Sequence, residues 1–96
     1  MKPIRFAGTI RHWNPEKQSG LAVIDIPGEN VAALGGLKQQ RVHGRLQGAD
    51  FVSNVMPAGG GRLALSVSKV MLSAAGVGIG ERAEVQITGV GREDQP

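Results

Sequence analysis

The chain has 96 residues, of which 41% are apolar and 20% charged, and its formal net charge is +3. That is enough apolar material for one small core and too much for a disordered chain. With no cysteine and no tyrosine, a disulfide scaffold, a cysteine-based zinc site and a thiol nucleophile are all excluded.

Glycine and proline divide the chain into short segments. Ile4, Phe6, Gly8 and Ile10 alternate with Arg5, Ala7, Thr9 and Arg11, the period of two that marks a half-buried strand. A turn is expected at Asn14-Pro15-Glu16-Lys17. Leu21-Ala22-Val23-Ile24-Asp25-Ile26 follows, nearly all apolar, which suits a strand covered on both faces and interrupted by Asp25. A short helix is predicted over Glu29-Asn30-Val31-Ala32-Ala33-Leu34, after Pro27 and before the Gly35-Gly36 stop. Val42, Gly44 and Leu46 then alternate with Arg41, His43, Arg45 and Gln47. Gly48-Ala49-Asp50 is the expected hairpin turn into Phe51-Val52-Ser53-Asn54-Val55-Met56. Pro57 and Gly59-Gly60-Gly61 mark the next turn. Leu63, Leu65 and Val67 form another alternating strand. Ser68 is positioned to cap a second helix, Lys69-Val70-Met71-Leu72-Ser73-Ala74-Ala75, that stops at Gly76. The last strand carries Ala83, Val85 and Ile87 on one face and Glu84, Gln86 and Thr88 on the other.

Each helix is about two turns long and needs the sheet beneath it to form. About six strands with two helical plugs are too few for a sandwich. The expected fold is mainly β, a small, partly open antiparallel barrel. It is expected to be one domain over residues 1–96, with 91–96 a frayed tail.

This order of features resembles a known bacterial and archaeal family, DUF1905. The matching pieces are Phe6-Ala7-Gly8-Thr9-Ile10, Val23-Ile24-Asp25-Ile26-Pro27 and Arg41-Val42-His43-Gly44-Arg45-Leu46-Gln47-Gly48. Phe51, Met56-Pro57 with its glycine turn and Leu63-Ala64-Leu65-Ser66-Val67-Ser68-Lys69 follow, and Val77-Gly78-Ile79-Gly80-Glu81-Arg82-Ala83-Glu84-Val85-Gln86-Ile87 completes the set. The resemblance covers roughly residues 4–88. It implies a small β-barrel with short helices and brings no established catalytic residues. Some members continue into a helical segment rich in Lys and Arg, which has no counterpart in this sequence.

The individual motifs point weakly to chemistry. Gly76-Val77-Gly78-Ile79-Gly80 has the glycines of a nucleotide loop but lies after a helix and before a strand, the reverse of what a phosphate at a helix N-terminus requires. It reads as a helix stop and turn. Gly59-Gly60-Gly61-Arg62 reads as a flexible turn, or as a loop whose amides and Arg62 hold an anion. His12 and His43 lack metal-ligand spacing, and no nucleophile elbow occurs. No metal and no cofactor are therefore expected. Asp25 is expected either to meet a backbone amide or an arginine, or to be a carboxylate with a raised pKa in a pocket.

Strand periodicity puts Arg41, His43 and Arg45 on one solvent-facing side, with Val42 and Leu46 inward. Such a row can track phosphates, and it is also what a solvated strand face looks like. Single-strand binders usually add aromatic platforms, for which Trp13 alone is available; Trp13 equally suits a cap on one barrel end. The first expectation is thus a non-enzymatic binding module for a small ligand or a protein partner. Its candidate contacts are Arg41, His43, Arg45, Arg62, Lys69 and Trp13. A basic nucleic-acid-binding barrel is the alternative, and an enzyme with a pocket around Asp25 and a histidine is the third reading. No leader or apolar span is visible, so a cytoplasmic monomer or weak homodimer away from membranes is expected.

Overall fold

A computed structural model describes residues 2–16 and 20–91. Lys17 of the expected first turn and the expected tail from residue 92 onward lie outside the described residues. Six strands are present: β1 (Ile4–His12), β2 (Ala22–Ile26), β3 (Gln40–Leu46), β4 (Ala49–Gly59), β5 (Arg62–Val67) and β6 (Arg82–Val90). They pair antiparallel throughout, in the order β1-β2-β5-β4-β3-β6, and β6 pairs back onto β1. The barrel is therefore closed rather than partly open, and closure leaves no unpaired sheet edge.

Two long strands bend to make closure possible. Residues 4–9 of β1 pair with β6, while residues 10–12 pair with β2. Likewise β4 pairs with β3 up to Val55 and with β5 from Val55 onward. Gly8 lies near the bend of β1, where an added Cβ would come within 2.9 Å of Ile24 Cγ2. The tightest approach is at β3 and β6. A Cβ on Gly44 would fall 1.8 Å from the Gln86 carbonyl oxygen, so only glycine fits there. At the same place the register shifts: His43 faces Gly89 and Gly44 faces Ile87, which leaves Thr88 as the extra residue of a β-bulge.

The inward phase of the strands supplies the core: Ile10, Ile24, Ile26, Val42, Leu46, Val55, Leu63, Leu65, Val85 and Ile87 are buried. Val42 and Leu46 point inward as the alternation required. The two crossover connections plug opposite ends, because β2 and β5 run antiparallel and leave the barrel at opposite mouths. After β5, the helix α1 (Lys69–Ala75) seats Met71 against the core. Ser68 caps it by accepting from the Met71 amide at 3.1 Å, and Gly76 ends it with φ 71°. After β2, the predicted helix over 29–34 is instead a pair of 3-10 turns, Gly28–Asn30 and Ala32–Leu34. Its amides bond three residues back, Asn30 to Pro27 and Leu34 to Val31. The segment has room for two tight turns that bring Leu34 into the barrel mouth, and the left-handed Gly35 (φ 87°) ends it.

Two turns differ from expectation. The β3–β4 hairpin turns on Gln47 and Gly48, both with positive φ (49° and 84°), and Ala49 and Asp50 already belong to β4. Positive φ at both central residues is the type I′ signature. Gln47 tolerates it because β6 holds it: its amide donates to the Glu84 carbonyl at 2.9 Å, and its Oε1 accepts from the Glu84 amide at 2.7 Å. Pro57 lies within β4 rather than in a turn, next to the register shift between Pro57 and Gly59, where its missing N–H is tolerated.

Candidate functional site

The outward phase of the strands differs around the barrel. On β2 and β5 two positions of this phase are apolar: Val23 and Ala64 are fully buried although they lie outside the core cluster. Cross-strand pairing aligns Arg11, Val23 and Ser66 in one row and Asp25, Ala64 and Met56 in the next. Arg11 thus stands diagonal to Asp25 and reaches it with two bonds, Nε to Oδ2 at 2.8 Å and a terminal nitrogen to Oδ1 at 2.9 Å. These hydrogen bonds hold the Asp25 carboxyl below its ordinary value, against the opposing effect of burial, and they raise the Arg11 guanidinium. The arginine-paired reading of Asp25 is the one observed. The raised carboxyl required by an acid–base pocket is not.

The opposite wall, across β1, β6, β3 and β4, is polar and concave. Register aligns Arg5 with Gln86, Gln86 with Arg45, and Arg45 with Asp50. Two guanidiniums therefore flank the Gln86 amide, on strands two positions and roughly 9–10 Å apart. A cavity of about 780 Å³ opens on this row, lined also by His43, Phe51, Val52 and Thr88, with Gly44 at its floor. A second of about 660 Å³ continues toward Gln47 and Glu84 and shares Arg5, Arg45 and Gln86. Asp50 Oδ1 accepts from Arg45 Nε at 3.2 Å, but the pair is exposed and loosely held.

The bulge orients His43. The Thr88 hydroxyl donates to the His43 carbonyl and lies 3.2 Å from His43 Nδ1, an arrangement that suits a proton on Nδ1. The ring lies over Gly89, where a Cβ would come within 2.3 Å of Nε2.

The structure separates the residues named from sequence. Arg41, His43 and Arg45 share the outward phase of β3, and His43 and Arg45 line the larger cavity. Arg62 is on the β4–β5 hairpin, close enough to Asp25 to contribute to its lowered pKa. Trp13 follows β1, partly exposed, and its amide donates to the Leu21 carbonyl at 2.7 Å. Lys69 opens α1 beside a separate cleft containing His12. Arg5, Gln86 and Thr88 were not singled out from sequence. Their outward phase was legible, but their convergence with Arg45 depends on pairing between strands far apart in the chain. Among the described residues no group of three or more His, Asp or Glu side chains comes together in a way that could hold a metal ion. Nor is any helix among them long and apolar enough to cross a membrane.

The model of the family described as Domain of unknown function (DUF1905) matches residues 6–87, and the chain belongs to that family. Among curated proteins, no match is found.

Proposed function

We propose that this domain is a non-enzymatic binding module that takes a small polyanion on the concave wall of β1, β6, β3 and β4. One observation carries the reading: the row Arg5–Gln86–Arg45 presents two guanidiniums and an amide along one edge of a cavity of about 780 Å³. Guanidiniums recognise phosphate and carboxylate oxygens by paired, charge-assisted bonds, and the spacing of the row suits a ligand with two anionic groups. His43, set by Thr88 and Gly89, lines the same cavity.

The test is calorimetric titration of the protein with pyrophosphate, beside an Arg5→Ala/Arg45→Ala double variant. Exposed arginines support a dissociation constant of about 0.1–1 mM, and the double variant should weaken it about tenfold. Undiminished binding by the double variant would remove the reading.

Nucleic acid is the second reading, favoured by Arg41, His43 and Arg45 in one outward row. The aromatics offer no exposed stacking platform in that row: Phe51 is buried, Phe6 is half-buried in the neighbouring cavity and Trp13 lies beyond the end of β1. At most three phosphate contacts, two of them from arginines, give a salt slope of roughly −2 to −3, so oligonucleotide affinity should vanish at physiological salt. Submicromolar binding there, abolished by Arg41→Glu with Arg45→Glu, would replace the first reading with this one.

A further inference from the structure

A second cleft lies at the barrel mouth beside α1, where three separate chain segments meet. His12 and Leu21 line it from the β1–β2 hairpin, Val67, Lys69 and Leu72 from the end of β5 and from α1, and Ile79 from the loop before β6. Hydrogen bonds join the elements around it: the Ser68 cap holds the start of α1, the Val77 amide donates to the Leu72 carbonyl at 3.1 Å, the Gly80 amide donates to the Ile10 carbonyl at 2.8 Å, and the Trp13 amide donates to the Leu21 carbonyl at 2.7 Å. The volume of the cleft is about 260 Å³. A dry apolar cavity of about 150 Å³ accepts benzene, so this space takes a single ring bearing one small substituent.

The lining also specifies the substituent. Its walls are aliphatic, and Leu21 and Ile79 remain 43% and 44% exposed, an unfavourable arrangement that a bound apolar body would relieve. Among the described residues no Asp or Glu lines the cleft, whereas Lys69 does. His12 lines the cleft as well, but its Nδ1 is shut off from solvent and so does not face a ligand bound there.

We infer that this cleft binds a small aromatic or aliphatic monocarboxylate, with its apolar body against Leu21, Val67, Leu72 and Ile79 and its carboxylate toward Lys69. The ligand differs in class from the polyanion of the opposite wall, and the site stands on its own observations.

Sodium benzoate is the probe, with benzyl alcohol as its uncharged counterpart, each titrated into the isotope-labelled protein and followed by amide shifts. Benzoate should saturate with a dissociation constant of about 1 mM, as expected for a ligand of this size. The shifts should be confined to residues 12, 20–22, 67–72 and 79. Lys69→Glu, an exposed position that leaves the core intact, should weaken benzoate about tenfold and leave benzyl alcohol within about twofold. Ile79→Ser should weaken both. The inference is overturned if benzoate gives no saturable shift at those amides, if Lys69→Glu binds benzoate as tightly as the parent, or if the shifts fall on Arg5, Arg45 and Gln86 instead.

Discussion

Two walls of one barrel are built from the same kind of strand and end with opposite properties. On the β2–β5 wall the outward positions include Val23 and Ala64, both removed from solvent, and the charges there neutralise each other as Arg11–Asp25. On the β1–β6–β3–β4 wall the outward positions are Arg5, Gln86, His43, Arg45 and Thr88, and they line open cavities. Both walls share an inner face of Ile, Leu and Val, so the core does not distinguish them. The difference lies in the second phase of the alternation: on the closed wall two of its positions, Val23 and Ala64, are buried, and on the open wall its polar side chains face the cavities.

The seam that shapes the open wall is the place to break it most severely. Gly44→Ala puts a methyl group where the Gln86 carbonyl oxygen stands, and β3 and β6 must part. We expect a loss of about 4 kcal/mol or outright failure to fold, read by urea unfolding. Gly48→Ala, at a turn position with open space around it, should cost only about 1 kcal/mol through its positive φ.

A matched pair of substitutions sharpens the contrast between the walls. Val23→Asp buries a carboxylate on the closed wall and should cost about 3–5 kcal/mol. Val52→Asp, at a position 51% exposed on the open wall, should change stability by no more than about 0.5 kcal/mol. Equal costs from thermal unfolding of the two variants would erase the distinction.

The ion pair on the closed wall gives a smaller, pH-dependent effect. The Asp25 carboxyl is lowered in the folded chain, so its contribution is complete above the unfolded value of about 3.9 and is lost as pH falls toward the folded value. Its side chain and that of Arg11 are 38% and 37% exposed, so screening limits the pair to about 0.5–1 kcal/mol. Asp25→Asn should be less stable than the parent by that amount at pH 7, and the gap should close below about pH 4. A gap that stays constant from pH 7 to pH 2 would show that the carboxylate is not the stabilising form.

The sequence made the phase of the strands legible and left their pairing obscure. Val42 and Leu46 inward with Arg41, His43 and Arg45 outward follows from a period of two, and the double cover of Val23 follows from the nearly continuous apolar run Leu21–Ile26; both are local properties. The Ser68 cap and the Gly76 stop were equally local. The row Arg5–Gln86–Arg45 was not, because it depends on β6 lying between β1 and β3, strands separated by most of the chain. The bulge at Thr88 is also nonlocal, since it exists only in relation to His43 and Gly44. Helix content over 29–34 was overstated because acid, alanine and glycine-stop signals are shared by α and 3-10 turns.

The claim that only one wall recognises anions is most directly tested by amide shift mapping with pyrophosphate. The account predicts saturable shifts at Arg5, His43, Arg45, Gln86 and Thr88, with Val23, Asp25, Ala64 and Ser66 unmoved. Shifts centred on Arg11 and Asp25, or spread evenly around the barrel, would contradict it.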